Sequence, residues 1–167
     1  FPYLYEGSAA YEEQYLQTYA AAPDSVVVWV RDDGRVVGAS SGLPLEAETP
    51  NVIAPFLAHG YDPKRIFYYG ESVLLPEYRG RGLGKRFFQE REAHVRALGR
   101  FETVCFCAVQ RPAHHPRRPV DYQPLDALWT RQGFVKHPEL CATFSWRDLD
   151  EAAESPKPMV FWLKSLR

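Results

Sequence analysis

The stretch LPEYRGRGLGKRFF, from Leu75 to Phe88, sets three glycines and four cations between an apolar run and a helix-like segment. Glycines spaced this way let consecutive backbone amides close on an anion, and a helix starting there aims its first N–H groups the same way. Two familiar phosphate loops fail on spacing. A dinucleotide loop G-x-G-x-x-G begun at Gly80 needs glycine at position 85, where Lys85 stands. A nucleotide-triphosphate loop needs four residues between its first glycine and Gly-Lys, then Ser or Thr. Here three residues separate Gly80 from Gly84-Lys85, and Arg86 follows. A ligand-free glycine turn would leave the entropic cost of three glycines without a reason.

Working outward, Ile66 to Leu75 (IFYYGESVLL) reads as the strand entering this loop. Gly70 interrupts it and suggests a bulge or a close backbone approach. Lys85 to Leu98 reads as the helix leaving the loop, with Phe87, Phe88, Val95 and Leu98 inward, a Glu92–Arg96 pair, and Gly99 at its end. Thr103 to Val109 (TVCFCAV) is apolar on both alternations, which predicts a central strand covered on both faces.

Upstream, Ser8 caps an expected helix over 9–21 that carries Tyr11, Tyr15 and Tyr19 on one face as core and rim. Val26–Val30 and Arg35–Ser40 form a hairpin around Asp33-Gly34, and Pro50 to Ala58 a short helix stopped by Gly60. Downstream, Leu125–Gln132 is helical and ended by Gly133, and Cys141–Trp146 and Met159–Leu163 are strands. The element order predicts an α/β fold with a mixed sheet, in one domain spanning 1–167.

The 167 residues carry a net charge of −1, so no nucleic-acid or membrane preference follows from the surface as a whole. Three cysteines are few and odd in number, which suits a reducing compartment, and no apolar run is long enough to span a bilayer. The expectation is a cytoplasmic protein. Its start at Phe1 raises the prospect of residues upstream.

The remaining fit to the glycine loop is Arg79-Gly80-Arg81-Gly82-Leu83-Gly84, on the pattern R/Q-x-x-G-x-G/A between a strand and a helix. With the preceding Leu-Pro-Glu-Tyr and the later Leu-Trp-Thr-Arg-Gln-Gly-Phe, it resembles the GNAT superfamily of N-acetyltransferases. The resemblance implies a mixed, splayed central β-sheet flanked by helices, with a first strand missing or upstream. It implies acetyl-coenzyme A as cosubstrate and no metal. Arg79, Gly80, Arg81, Gly82, Leu83, Gly84 and Lys85 would hold the pyrophosphate, with Arg86 adding charge. Val73, Leu74 and Leu75 would hydrogen-bond the pantetheine arm, and the bulge would splay their strand from Thr103–Val109.

The family's reaction is direct attack of a neutral amine on a thioester in a ternary complex. Neutralising an amine of pKa about 10.4 at pH 7 costs about 4.6 kcal/mol, whereas forming a thiolate of pKa about 8.5 costs about 2 kcal/mol. The base therefore matters more than the acid. Glu71 is the candidate base, against the alternative of a carboxylate paired with a neighbouring arginine. The family often places a tyrosine acid five residues before the Gly-Phe phenylalanine. Here that position is Trp129, whose indole donates but is no practical acid, so Tyr122 or a water takes the role, or the thiolate leaves unaided.

A small-molecule primary amine is the expected acceptor, with a peptide or protein lysine, or a non-catalytic acyl-coenzyme A sensor, as alternatives; a homodimer stays open. Cys105 and Cys107 share a strand face about 7 Å apart, and with His114 and His115 match no zinc spacing. The loop RPAHHPRRPVDY either connects or lines the acceptor site, and no aromatic platform accompanies its arginines for nucleic acid. The helix over Asn51 to His59 is a further acceptor-side candidate. Acidic Asp148, Asp150, Glu151 and Glu154 either draw a cationic acceptor or form a solvated loop.

Overall fold

The structure is a computed structural model describing residues 4, 5, 7–112 and 114–167, with the side chains of 10 and 11 outside the description. Tyr11 therefore lies outside the described side chains. The elements run α1 (Ala9–Ala21), β1 (Val26–Asp32), β2 (Arg35–Pro44), α2 (Pro50–Ala58), β3 (Ile66–Leu74), α3 (Leu83–Leu98), β4 (Thr103–Val109), α4 (Asp126–Arg131), β5 (Val135–Trp146) and β6 (Ser155–Ser165). The strands form a mixed sheet in the order β1-β2-β3-β4-β6-β5. Every pairing is antiparallel except β3 with β4, the two strands joined by the α3 crossover.

Two apolar layers cover the sheet. Alternation along β3 and β4 sends Ile66, Tyr68 and Cys105 to the face packed by Tyr19, Val52 and Phe56 of α1 and α2. It sends Phe67, Tyr69, Val104 and Phe106 to the face packed by Val95 of α3. Strand β4 is thus the central, doubly covered strand that its apolar run predicts. Phe56 and Phe161 meet edge to face at 4.7 Å, and burying each such ring stabilises the fold by roughly 2–3 kcal/mol.

The sequence expectations hold for element type and differ mainly in reach. Strands β2, β5 and β6 run longer than their apolar cores suggest, because pairing continues through polar residues such as Ser41, Lys136 and Lys157. Ser8 occupies the cap of α1 without a side-chain cap bond, only its carbonyl accepting from the Glu12 amide at 3.0 Å. Helix α3 begins at Leu83 rather than Lys85, since Gly82 with φ 80 caps it and Arg86 N–H donates to the Gly82 carbonyl.

Gly70 serves both purposes its interruption of β3 suggests. Gly42 pairs with Tyr69 and Ser40 with Ser72, so Ser41 alone faces Gly70 and Glu71: a bulge on β3. A Cβ at Gly70 would overlap the Tyr19 hydroxyl and lie 2.8 Å from Ser41 Oγ. Gly70→Ala should therefore lower stability by roughly 2 kcal/mol by overpacking, read as a shift in urea midpoint. A wild-type midpoint would show that Tyr19 is not wedged on the bulge.

Candidate functional site

The site grows from a pairing that stops early. Strands β3 and β4 match only over Ile66–Thr103, Phe67–Val104 and Tyr68–Cys105. Beyond Tyr68 the two diverge, β3 staying on β2 through Leu74 and β4 on β6 through Val109. The β4-facing edge of β3, including Val73 and Leu74, is left open along this cleft. Leu75 N–H donates to the Val37 carbonyl, and Arg79 Nε donates to the Leu74 carbonyl at 3.2 Å, folding the glycine loop back on the strand end.

In that loop Gly80 (φ 72) and Gly82 (φ 80) adopt the left-handed conformation that favours glycine. Nothing lies within 4 Å of a Cβ built at Gly80, Gly82 or Gly84, so the space before these backbones is open. The first helical bond of α3 is Arg86 to Gly82, which leaves the amides of Leu83, Gly84 and Lys85 unused by the helix. Arg81 lies over the Tyr78 ring at 5.0 Å, and the Tyr78 hydroxyl donates to Asp32 at 2.7 Å. Arg86 differs from its neighbouring cations: it pairs with Glu90 at 2.8 Å.

Glu71 sits at the bulge. Its N–H donates to Ser41 Oγ at 3.0 Å, and its carbonyl accepts from Ser40 Oγ at 3.1 Å. The side chain shows surface to solvent, yet protein surrounds most of it. Desolvation raises its pKa above 4.5, Glu12 and Glu48 push the same way, and Arg91 opposes them. No described residue is bonded to the carboxylate, so the paired-with-arginine alternative is not what the geometry displays.

Beside it lies a chain of buried and half-buried groups whose mutual bonds, and whose Glu48, sequence reading did not foresee. Tyr15 and Tyr19 share a hydrogen bond of 2.5 Å, and Tyr19 donates to Glu48 at 3.1 Å. Glu48 is buried, its pKa raised by desolvation against bonds from the Thr49 amide and Tyr19. Tyr68 bonds Cys107 at 3.1 Å where the strands part, and burial pushes the Cys107 thiol up to about 12. The tyrosine periodicity on α1 hinted at this; Glu48, in the turn after β2, carried no local signal. Arg91 was also missed, though its place four residues from both Phe87 and Val95 marks the buried face of α3.

The other expected residues divide. Trp129 is half-buried, edge-on to Phe106 at 5.0 Å and to Trp162 at 5.1 Å, so it packs the face of the splayed β4. Tyr122 stacks with Arg118 at 4.9 Å in the 111–124 loop, where His114, His115 and Arg118 line a shallow hollow. Asn51 Nδ2 of α2 donates to the Thr143 carbonyl of β5. Among the described residues no group of three His, Cys, Asp or Glu is arranged to hold a metal, and no helix is long and apolar enough to cross a membrane.

The acidic segment after β5 is largely spoken for. Asp148 accepts from Arg111, from Trp146 Nε1 at 2.9 Å, and pairs with Lys157 at 3.1 Å. Lys157 also reaches Glu151 at 2.6 Å. Asp148 is closed off by its own partners at a place with little protein bulk. Desolvation is therefore outweighed by the bonds from Arg111, Trp146 and Lys157, which hold its carboxyl well below 3.8. The cluster anchors the 111–124 loop to the β5–β6 connection, and His115 joins it through Asp150 at 3.2 Å.

A six-stranded mixed sheet opened between its two parallel strands, with a glycine-capped helix at the mouth, defines an acyl-coenzyme A N-acyltransferase fold. The chain belongs to the acetyltransferase (GNAT) family, whose model matches residues 1–120, and it is an acyltransferase. No curated protein sequence matches the chain. An aminoglycoside 6'-N-acetyltransferase complexed with coenzyme A is 12% identical, with a TM-score of 0.59 over 96% of this chain and 82% of that one. A ribosomal-protein-alanine N-acetyltransferase from Brucella melitensis is 17% identical, with a TM-score of 0.57 over 96% and 80%. An IAA acetyltransferase from Bacillus cereus is 12% identical, with a TM-score of 0.56 over 95% and 85%. At these identities the likeness is one of fold.

The Asp148 cluster makes a stability prediction. A depressed folded pKa contributes stability above about 3.8 that is lost as pH falls through the folded value. Lys157 is raised above 10.5, the bonds it donates to Glu151 and Asp148 overcoming desolvation, so its share is present below that value and lost as pH rises through the folded one. Asp148→Asn should cost about 3 kcal/mol at pH 7, because buried Arg111 and Lys157 both lose the carboxylate they share. The deficit should shrink below pH 3.8 in denaturation curves; a deficit constant from pH 2 to 7 would remove the electrostatic account.

Proposed function

We propose that this acetyltransferase moves acetyl from acetyl-coenzyme A to the primary amine of a small molecule, by direct attack in a ternary complex. The observation that carries the reading is the early end of the β3–β4 ladder beside the open amides of α3. A pantetheine arm would add along Val73, Leu74 and Leu75 as an extra strand, using backbone groups that β4 does not take. The pyrophosphate would sit on the amides of Gly82 through Lys85, where the helix dipole favours negative charge, with Arg79, Arg81 and Lys85 around it.

Glu71 is the proposed base. A protonated amine is drawn toward the field of Glu12, Glu48 and Glu71 and must lose its proton before attack. The raised pKa brings the carboxylate closer to neutrality than an ordinary glutamate, which improves proton transfer near pH 7. The thiolate, needing only about 2 kcal/mol at pH 7, leaves without an obligatory acid. Trp129 then acts by packing the cleft wall, and Tyr122 is the side chain to test as proton donor.

Calorimetric titration with acetyl-coenzyme A, coenzyme A and NAD, followed by free-thiol release over a panel of amines, tests the reading. Binding of the coenzyme A species with amine-dependent release supports it; binding without release for any small amine directs the search to peptide lysines or a sensor; no coenzyme A binding overturns it. Gly82→Val should abolish coenzyme A binding but also strain the backbone. Gly84→Val, in open space without positive φ, should leave stability within about 0.5 kcal/mol and still weaken binding at least tenfold. Unchanged affinity there would remove the loop assignment. For Glu71→Gln, turnover at pH 7 should fall about 10²-fold with coenzyme A affinity kept, and the acid limb of the pH–rate profile, centred above 4.5 in the unaltered protein, should vanish.

A further inference from the structure

Arg91 is a buried cation that the scheme above leaves without a task. It is 1% exposed on the inner face of α3 and, unlike Asp148 and Lys157, forms no ion pair with a described residue. Burial lowers its pKa to about 10, so it stays charged at a desolvation cost. A methionine of similar volume would fill the same place without that cost.

Its contacts converge on the bulge. Nη1 donates to the Ser41 carbonyl at 3.2 Å, and Nε to Phe87 of its own helix at 3.3 Å. The guanidinium lies 4.2 Å from the Tyr69 ring centroid and 5.1 Å from that of Phe88. Ser41 is the single residue facing the bulge, and its Oγ accepts the Glu71 N–H; Tyr69 is the residue entering the bulge. Arg91 therefore touches both strands beside Glu71. From other elements Glu71 is faced by Glu12 on α1 and Glu48 after β2, with Tyr15 and Cys107 within its field; among the described residues Arg91 from α3 is the cation that opposes them, beside the charge of the chain's amino terminus.

We propose that Arg91 is a positioning residue for acyl transfer: through Ser41 and Tyr69 it holds the Gly70–Glu71 bulge in register and sets positive charge behind the Glu71 carboxylate. The inference rests on Glu71 as the base. Removal of the guanidinium loosens the carboxylate and takes away positive charge that opposes Glu12 and Glu48, so it binds its proton at higher pH. Lysine keeps the charge but loses the planar stack and the directed bond to Ser41.

The test is the pH profile of kcat/KM for the unaltered protein, Glu71→Gln, Arg91→Met and Arg91→Lys, with Tm and coenzyme A affinity measured for each. Arg91→Met should keep or raise Tm and keep coenzyme A affinity within about twofold, while kcat/KM at pH 7 drops about tenfold and the acid limb moves up by roughly half a pH unit or more. Arg91→Lys should return the limb to its place without restoring the full rate. A wild-type rate and limb in Arg91→Met, with the limb abolished in Glu71→Gln, overturns the Arg91 inference alone. A limb that persists in Glu71→Gln overturns the base and this inference with it. If Arg91→Met lowers Tm, Ser41→Ala decides: it keeps the guanidinium and removes the Oγ link to Glu71. A lowered rate with an unmoved limb supports the latch, and an unchanged rate overturns it.

Discussion

The cleft exists because the parallel ladder between β3 and β4 ends after Tyr68 and Cys105. Two residues beyond Tyr68, β3 takes up the extra residue at Gly70–Glu71, and a bulge adds local twist that turns the strand away from its neighbour. The twist is held from both faces of the sheet. Tyr19 of α1 covers Gly70 on one side, and Arg91 of α3 grips Ser41 on the other. The open strand edge and the open helix terminus then lie at one end of the same crossover. A single backbone irregularity thus sets the groove, the orientation of Glu71 and the approach to the glycine loop.

Charge is handled in two opposite ways. Around Asp148, cations and carboxylates meet in hydrogen-bonded contact, and the carboxyl is held low. Around Glu71 and Glu48, carboxylates stand near each other with tyrosines and without a bonded cation among the described residues, and burial holds them high against the opposing charge of Arg91 at Glu71. The first arrangement ties the 111–124 loop and the β5–β6 connection together. The second raises proton affinity above that of an ordinary glutamate, the direction that the proposed acetyl transfer asks of its base. The acidic segment, read from sequence as either a draw for a cationic acceptor or a solvated loop, belongs at Asp148 and Glu151 to the first kind.

Much of this was legible in the chain itself. Glycine spacing at Gly80, Gly82 and Gly84 marked a loop at a helix start, because the left-handed backbone at Gly80 and Gly82 favours glycine. The doubly apolar Thr103–Val109 read as a covered central strand, Asp33-Gly34 as a hairpin and Gly70 as an irregularity. Those are local properties, carried by neighbours a few residues apart. What only the tertiary structure decided was which distant groups meet. Glu48 joins Tyr19 across 29 positions and Arg91 joins Ser41 across 50. The early end of the β3–β4 ladder also has no local signature, since unpaired strand edge and paired strand share one sequence pattern. Such contacts follow from packing two helical layers on a bulged sheet, and only the folded chain fixes them.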